Sequence, residues 1–204
     1  PVDELNRPSP ETLMEQVLPL LRSGDTVAHV YSCMPDGIMG PGDKVPSVVR
    51  DAYAQGIHFD IGYGINFSYR IARLMIETGI LPNTISSDAH ADFNSYHDDS
   101  KLDYSLCGAM TRLCALGMPL AEVIRRTTLN PAKVLHEERE IGTLEPGSRA
   151  DFTILELVEG SWDLSDAEGE VLTVEERLVP AQVVRAGVEI ESSRRLLRDI
   201  WNLG

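Results

Sequence analysis

The sequence predicts an α/β chain, a run of parallel β/α units followed by a small β subdomain. Up to about residue 130, amphipathic helix patterns alternate with short apolar β runs, the order that a parallel sheet or barrel produces. From Ile141 the texture changes to β runs broken by Gly and Pro. Hydrophobic residues make up 43% and charged residues 25% of the 204 positions, enough to bury a real core.

In the first unit, Pro10 to Leu21 reads as a helix with Ser9 as N-cap, Leu13 and Val17 on one face and a Ser23-Gly24 stop. Its strand is Thr26 to Tyr31. The second unit has a helix from Pro46 to Gln55, with Val48, Val49, Ala52 and Tyr53 as the apolar stripe and Gly56 as its end. The strand Ile57 to Ile61 follows. A third helix, Phe67 to Thr78, stops at Gly79 and leads to a strand at Thr84 to Ser87, then a long loop from Asp88 to about Lys101.

Two further helices are expected at Leu102 to Leu116 (Leu102, Leu106, Met110, Leu113) and Pro119 to Thr128 (Leu120, Val123, Ile124), then a short one at Pro131 to His136. Beyond Ile141 the β runs are Phe152 to Leu157, Leu172 to Val174, Val179 to Arg185 and Val188 to Ile190. A closing amphipathic helix is expected from Ser192 to Trp201. The domain division is therefore 1–140 for the β/α part, 141–191 for the β subdomain and 192–204 for the terminal helix.

The net charge of -14 disfavours nucleic acid as a partner, since an acidic surface repels phosphate; a small-molecule substrate is the expectation. No apolar run reaches membrane-spanning length and PVDELNRPSPETL lacks the features of a signal peptide, so a soluble, cytoplasmic protein is expected. Cys33, Cys107 and Cys114 are odd in number and lack zinc-ribbon spacing, which reads as apolar packing rather than disulfides.

Functional groups of parallel α/β folds gather at the C-terminal ends of strands. Here those ends carry His29, the Asp60-Ile61-Gly62-Tyr63-Gly64 turn, and Asp88 with His90. Imidazole and carboxylate at neighbouring strand ends suit a metal site. Taken singly, a hydrogen-bonded loop histidine and a turn-capping aspartate explain the same residues.

The run from Thr127, TTLNPAKVLHEEREIGTLEPGSRADFTILEL, resembles the closing segment of the amidohydrolase superfamily: Asn130-Pro131-Ala132, then Gly142-Thr143-Leu144, Gly147 and Ala150-Asp151. The segments GDTVAHVYS, HFDIGYG and ISSDAH look like barrel strands six to eight of its deacetylase and dihydroorotase-like branch. The resemblance implies a partial (β/α)8 TIM barrel followed by a small β-sandwich subdomain to which both ends of the full protein contribute. It implies a two-metal hydrolase of amide, cyclic amide or ester bonds using divalent metal, zinc being the expected ion. His29 then matches a metal-binding histidine, and Asp88 the aspartate that touches one metal and shuttles the proton. Tyr63 stands where similar deacetylases tend to have histidine; Tyr63, Gly64 and His90 are expected to face substrate.

The family's His-x-His pair, its carboxylated lysine and its strand-five histidine are expected upstream of Pro1, so the sequence reads as the C-terminal part of a barrel, inactive alone. Its partners would include the missing N-terminal half, with a homo-oligomer as a further arrangement, and the unpaired barrel edge is an expected assembly site. His58, His97 and His136 are not expected to complete the site. A deaminase or cyclic amidase of the same superfamily, and a degenerate barrel acting as a binding or scaffold subunit, are the alternatives. Asp98, Asp99 and Asp103 lack EF-hand spacing and read as a solvated lid loop, and Glu156 to Glu176 as an exposed acidic face.

Overall fold

The computed structural model describes residues 14–34, 37–39, 44–64, 66–89 and 103–192. The expected terminal helix and His90 lie outside the described residues, as does most of the 88–101 loop. No helix among the described residues is long and apolar enough to cross a membrane.

The expected start of the first helix, Ser9 to Leu13, lies outside the described residues. α1 (Met14–Val17) tightens into a 3-10 turn at Leu18–Leu20, where Pro19 has no N–H to continue an α-helical ladder. β1 (Thr26–Val27) pairs in parallel with β2 (His58–Phe59), joined through α2 (Ser47–Ala54). A third extended segment joins by the parallel bridge of Thr84 to Asp60, and its further rungs are Ile61 N–H to Thr84 O (3.2 Å), Tyr63 N–H to Ser86 O (3.0 Å) and Gly64 N–H to Ser87 O (3.1 Å). The crossover carries α3 (Tyr69–Glu77), which starts after Ser68 because the Ser68 hydroxyl accepts from the Ile71 N–H.

The first strand ends early for a definable reason. Asp60 donates to the Val27 carbonyl (2.8 Å), and the Asp60 carbonyl accepts from Val30 N–H (3.1 Å). Regular parallel pairing would place that second donor at residue 29, so one extra residue is accommodated here as a bulge. His29 adopts φ +59, which takes it out of the ladder.

α4 (Leu106–Ala115) opens on Ser105, whose hydroxyl accepts from Gly108 N–H at 2.9 Å, four residues later than the sequence suggests. α5 (Leu120–Thr127) and α6 (Leu129–Val134) are divided at Thr128, so α6 begins before the Asn-Pro pair. Val30, Phe59, Ile71, Met75, Leu113 and Val123 lie in one buried core, whereas Leu106 and Ile124 of the expected apolar faces are exposed. The three cysteines are free.

The four short β runs are in fact two long strands and a short one. β3 (Phe152–Ser165) and β4 (Val171–Arg185) form an antiparallel hairpin, and β5 (Val188–Ile190) pairs with the end of β4. Its register shifts at Ile154/Leu155, beside the Leu155–Pro180 pair, and at Glu159/Trp162. Proline is tolerated at such an irregularity because the ladder is already interrupted there. The acidic Glu156 to Glu176 stretch is therefore mostly strand, with Leu164 and Val174 buried.

The hairpin tip docks on the start of α3. Asp166 Oδ2 accepts from Tyr69 N–H (2.8 Å) while Oδ1 accepts from Glu168 and Glu170 N–H (2.9 and 2.8 Å). Tyr69 donates its hydroxyl to the Leu164 carbonyl (3.0 Å), and Arg70 and Arg73 pair with Glu168 and Glu170. One buried aspartate thus shapes the turn and satisfies an N-terminal helix donor.

The residues of the closing run have structural reasons. A Cβ on Gly142, at φ +86, would stand 2.8 Å from Ala132 Cβ and 2.9 Å from the Thr128 carbonyl, so only the smallest side chains permit this crossing after α6. Asp151 Oδ1 accepts from Ala186 N–H at 2.5 Å, tying the start of β3 to the β4–β5 turn.

Candidate functional site

The bulge at His29, the Gly62-Tyr63-Gly64 turn and the Ser87-Asp88 end meet at one edge of the parallel strands. His29 Nε2 lies 3.5 Å from Asp88 Oδ2, with the two side chains 41% and 38% exposed. Both residues have left-handed backbones, φ +59 and +50, which cost non-glycine residues on the order of 1–2 kcal/mol. Both ring nitrogens of His29 are shut off from solvent and have no hydrogen-bond partner within the described residues. The pair thus brings an imidazole nitrogen and a carboxylate oxygen together, donor types that suit a divalent cation.

The glycines make room for this pair. A Cβ on Gly62 would be 3.0 Å from the His29 nitrogen and 3.1 Å from its ring; one on Gly64 would be 2.7 Å from Asp88 Oδ2. Gly64 is thus placed against Asp88, while Gly62 of the same turn lies against His29.

Tyr63, expected to face substrate, is 3% exposed. Its ring packs edge-on to Phe67 at 5.4 Å, tilted to Tyr104 at 6.3 Å, and under the Arg112 guanidinium at 5.0 Å. Burial pushes the phenol far above the usual tyrosine range, with Arg112 opposing the shift. Arg112 is fully buried; its Nε donates to Tyr69 Oη (2.9 Å) and its Nη1 to the carbonyls of Asp103 and Gly108 (3.3 and 3.2 Å). Asp103 belongs to this buried layer at 3% exposed, its Oδ1 accepting from Ser105 N–H (3.1 Å), which corrects its assignment to a solvated loop. Asp98 and Asp99 lie outside the described residues.

In the sequence Asp60 reads as part of the strand-end turn, with no role of its own. It is 8% exposed; Oδ1 accepts from the Thr84 hydroxyl (2.6 Å), and Oδ2 from the Ser86 hydroxyl (2.6 Å) and Gly62 N–H (2.8 Å). The available signal was the alternation Thr84-x-Ser86 on a neighbouring strand, which puts two hydroxyls on one face. His58 lies on β2 before Asp60, and His136 is exposed after α6. Among the described residues no group of three or more His, Cys, Asp or Glu side chains is arranged to hold a metal.

The model of the Amidohydrolase family matches residues 68–190. A deacetylase of Brucella anthropi is 32% identical over 190 residues, which are 93% of this chain and 46% of that protein. Among solved structures, an adenine deaminase superposes with TM-score 0.82 at 26% identity, covering 91% of this chain and 50% of its own. A dihydroorotase superposes with TM-score 0.78 at 30% identity, covering 93% of this chain and 49% of its own. The family match spans more than half of the sequence and includes Asp88: the chain belongs to the amidohydrolase family. Its α/β architecture is that of part of these proteins, and it spans about half the length of the relatives it matches.

Proposed function

We propose that these residues form the strand-six to strand-eight part of a (β/α)8 metal-dependent hydrolase acting on amide, cyclic amide or ester bonds of a small molecule, and that the segment is inactive without the remaining ligands. The observation that carries this is the approach of His29 Nε2 to Asp88 Oδ2 at 3.5 Å, with both imidazole nitrogens otherwise unpartnered. The deacetylase relative and the dihydroorotase neighbour support hydrolysis of carbon–nitrogen bonds as the first chemistry to test.

His29 and Asp88 would hold the ion. When bound, a divalent metal, zinc in the first instance, acidifies water and polarises a carbonyl. Asp88 Oδ2 lies toward His29 and Gly64, which leaves Oδ1 to take the proton of the attacking water and return it to the departing nitrogen or oxygen. The bulge holds the imidazole at the strand-end edge, and the glycine turn lets backbone approach both groups without side-chain obstruction.

The test is Asp88→Asn in the full-length polypeptide assayed with zinc on N-acetyl, cyclic-amide and ester substrates. Proton transfer of this kind is worth about 10²–10⁴-fold, so the variant should lose at least two orders of magnitude in kcat. Wild-type turnover in the variant rejects the role of Asp88. An intact polypeptide that neither binds zinc nor hydrolyses any of the three classes points to a binding or scaffold subunit.

A further inference from the structure

We propose that Asp60 is a positioning residue that sets the separation of His29 and Asp88, so that its three-way clamp determines how tightly the site takes a divalent cation; this rests on the metal-binding reading of those two residues. Asp60 makes polar contacts on both sides. Its backbone bonds to Val27 O and Val30 N–H on either side of the His29 bulge, so the bulge is measured out against this one residue. Its carboxyl group reaches the other way, to the hydroxyls of Thr84 and Ser86, on the segment that ends in Asp88. The remaining contact, Gly62 N–H to Oδ2, fixes the turn at Gly62, where an added Cβ would stand 3.1 Å from the His29 ring.

The arrangement exceeds what joining strands requires. The backbone rungs from Ile61, Tyr63 and Gly64 to Thr84, Ser86 and Ser87 already hold the second strand to the third. The carboxyl group adds two short hydroxyl contacts and a turn contact in a place only 8% exposed. A buried polar group with every oxygen engaged gives rigidity and register. Groups that orient metal ligands from behind typically cost 10–100-fold in metal affinity when removed. Among the described residues the Asp60 carboxyl group bonds Gly62, Thr84 and Ser86 and neither His29 nor Asp88, so it acts through Gly62 and Ser86.

The experiment is zinc affinity of the full-length polypeptide by chelator competition, with the cobalt-substituted absorption spectrum as a readout of ligand arrangement and thermal melting as the control for folding. Asp60→Asn keeps the shape but places an NH₂ where an acceptor stood; Thr84→Val and Ser86→Ala each remove one donor; Thr84→Ser restores the hydroxyl. Asp60→Asn, Thr84→Val and Ser86→Ala should each remain folded, weaken zinc about 10-fold or more and change the cobalt spectrum, whereas Thr84→Ser should match wild type. Wild-type zinc affinity and spectrum in those three folded variants, with Asp88→Asn abolishing binding, overturns the role of Asp60 and leaves the metal site standing. If the wild-type polypeptide takes up no zinc, the metal reading and the clamp fall together. Should Asp60→Asn fail to fold, the Thr84 and Ser86 variants decide alone.

Discussion

Gly64 stands so close to Asp88 that a single added methyl group would sit 2.7 Å from its Oδ2. The glycine is therefore part of the geometry of the carboxylate, in addition to serving a turn at φ +28. Gly64→Ala should cost about 1–2 kcal/mol of backbone strain and also displace Asp88. Gly79 separates these effects: it too has positive φ, +77, but an added Cβ there meets nothing within 4 Å. Gly79→Ala should lower the melting temperature and leave zinc affinity unchanged; Gly64→Ala should lower both, with at least a 10-fold loss in affinity, since outer groups that orient ligands carry 10–100-fold. Equal zinc affinities in the two variants would show that the glycine serves the turn alone.

The contact between the β hairpin and α3 carries a pH dependence. The Ser68 hydroxyl, and after it Arg70, hold the Glu168 carboxyl below the ordinary glutamate range against the opposing effect of desolvation. A folded pKa below the unfolded one means that the stabilisation is complete above the unfolded value, roughly 4.3, and is lost as pH falls through the depressed folded value. With Glu168 35% exposed in the Arg70 pair, the contribution is about 1 kcal/mol or less after solvent screening. That corresponds to roughly 2–4 °C of melting temperature in a chain of this size. Melting curves from pH 6 to pH 3 should fall less steeply for Glu168→Gln than for wild type, starting from a lower plateau. Parallel curves displaced only in height would reject the assignment.

The site was legible in the sequence to the extent that strand ends are. The helix–strand alternation placed His29 and Asp88 at neighbouring strand ends, and the structure brings them together. The bulge that turns His29 out was not legible, because it depends on which residue of β1 pairs with Asp60, a fact of register that local pattern does not encode. Asp60 itself was hidden inside an apparent turn, since its partners Thr84 and Ser86 lie on another strand. Asp103 misled for a related reason: charged residues in sequence read as surface, and only the packing of Arg112 against the Asp103 carbonyl, Tyr63 and Tyr69 shows the buried layer it belongs to. The length of β3 and β4 was obscured by Gly160, Ser161 and the clustered glutamates, which break the alternation at a register shift that the hairpin absorbs. The α3 boundaries were nearer the mark, because Ser68 and Gly79 act within a few residues of the ends they define.

The β4–β5 turn offers a stabilising change that tests the hairpin directly. Ala186 and Gly187 both have positive φ, +50 and +76, the backbone of a two-residue type I′ turn. Glycine fits this conformation; alanine carries a penalty of about 1–2 kcal/mol from its Cβ. The Ala186 N–H that Asp151 Oδ1 accepts belongs to the backbone and survives substitution. Ala186→Gly should therefore raise stability by about 0.5–1 kcal/mol, the strain relief being partly offset by the greater freedom of glycine in the unfolded chain. Asp151→Ala should undo the gain by leaving that turn without its side-chain acceptor. Chemical denaturation is the measurement: Ala186→Gly should shift the midpoint upward at constant m-value, and an unchanged or lower midpoint would show that the turn does not hold the left-handed conformation at residue 186.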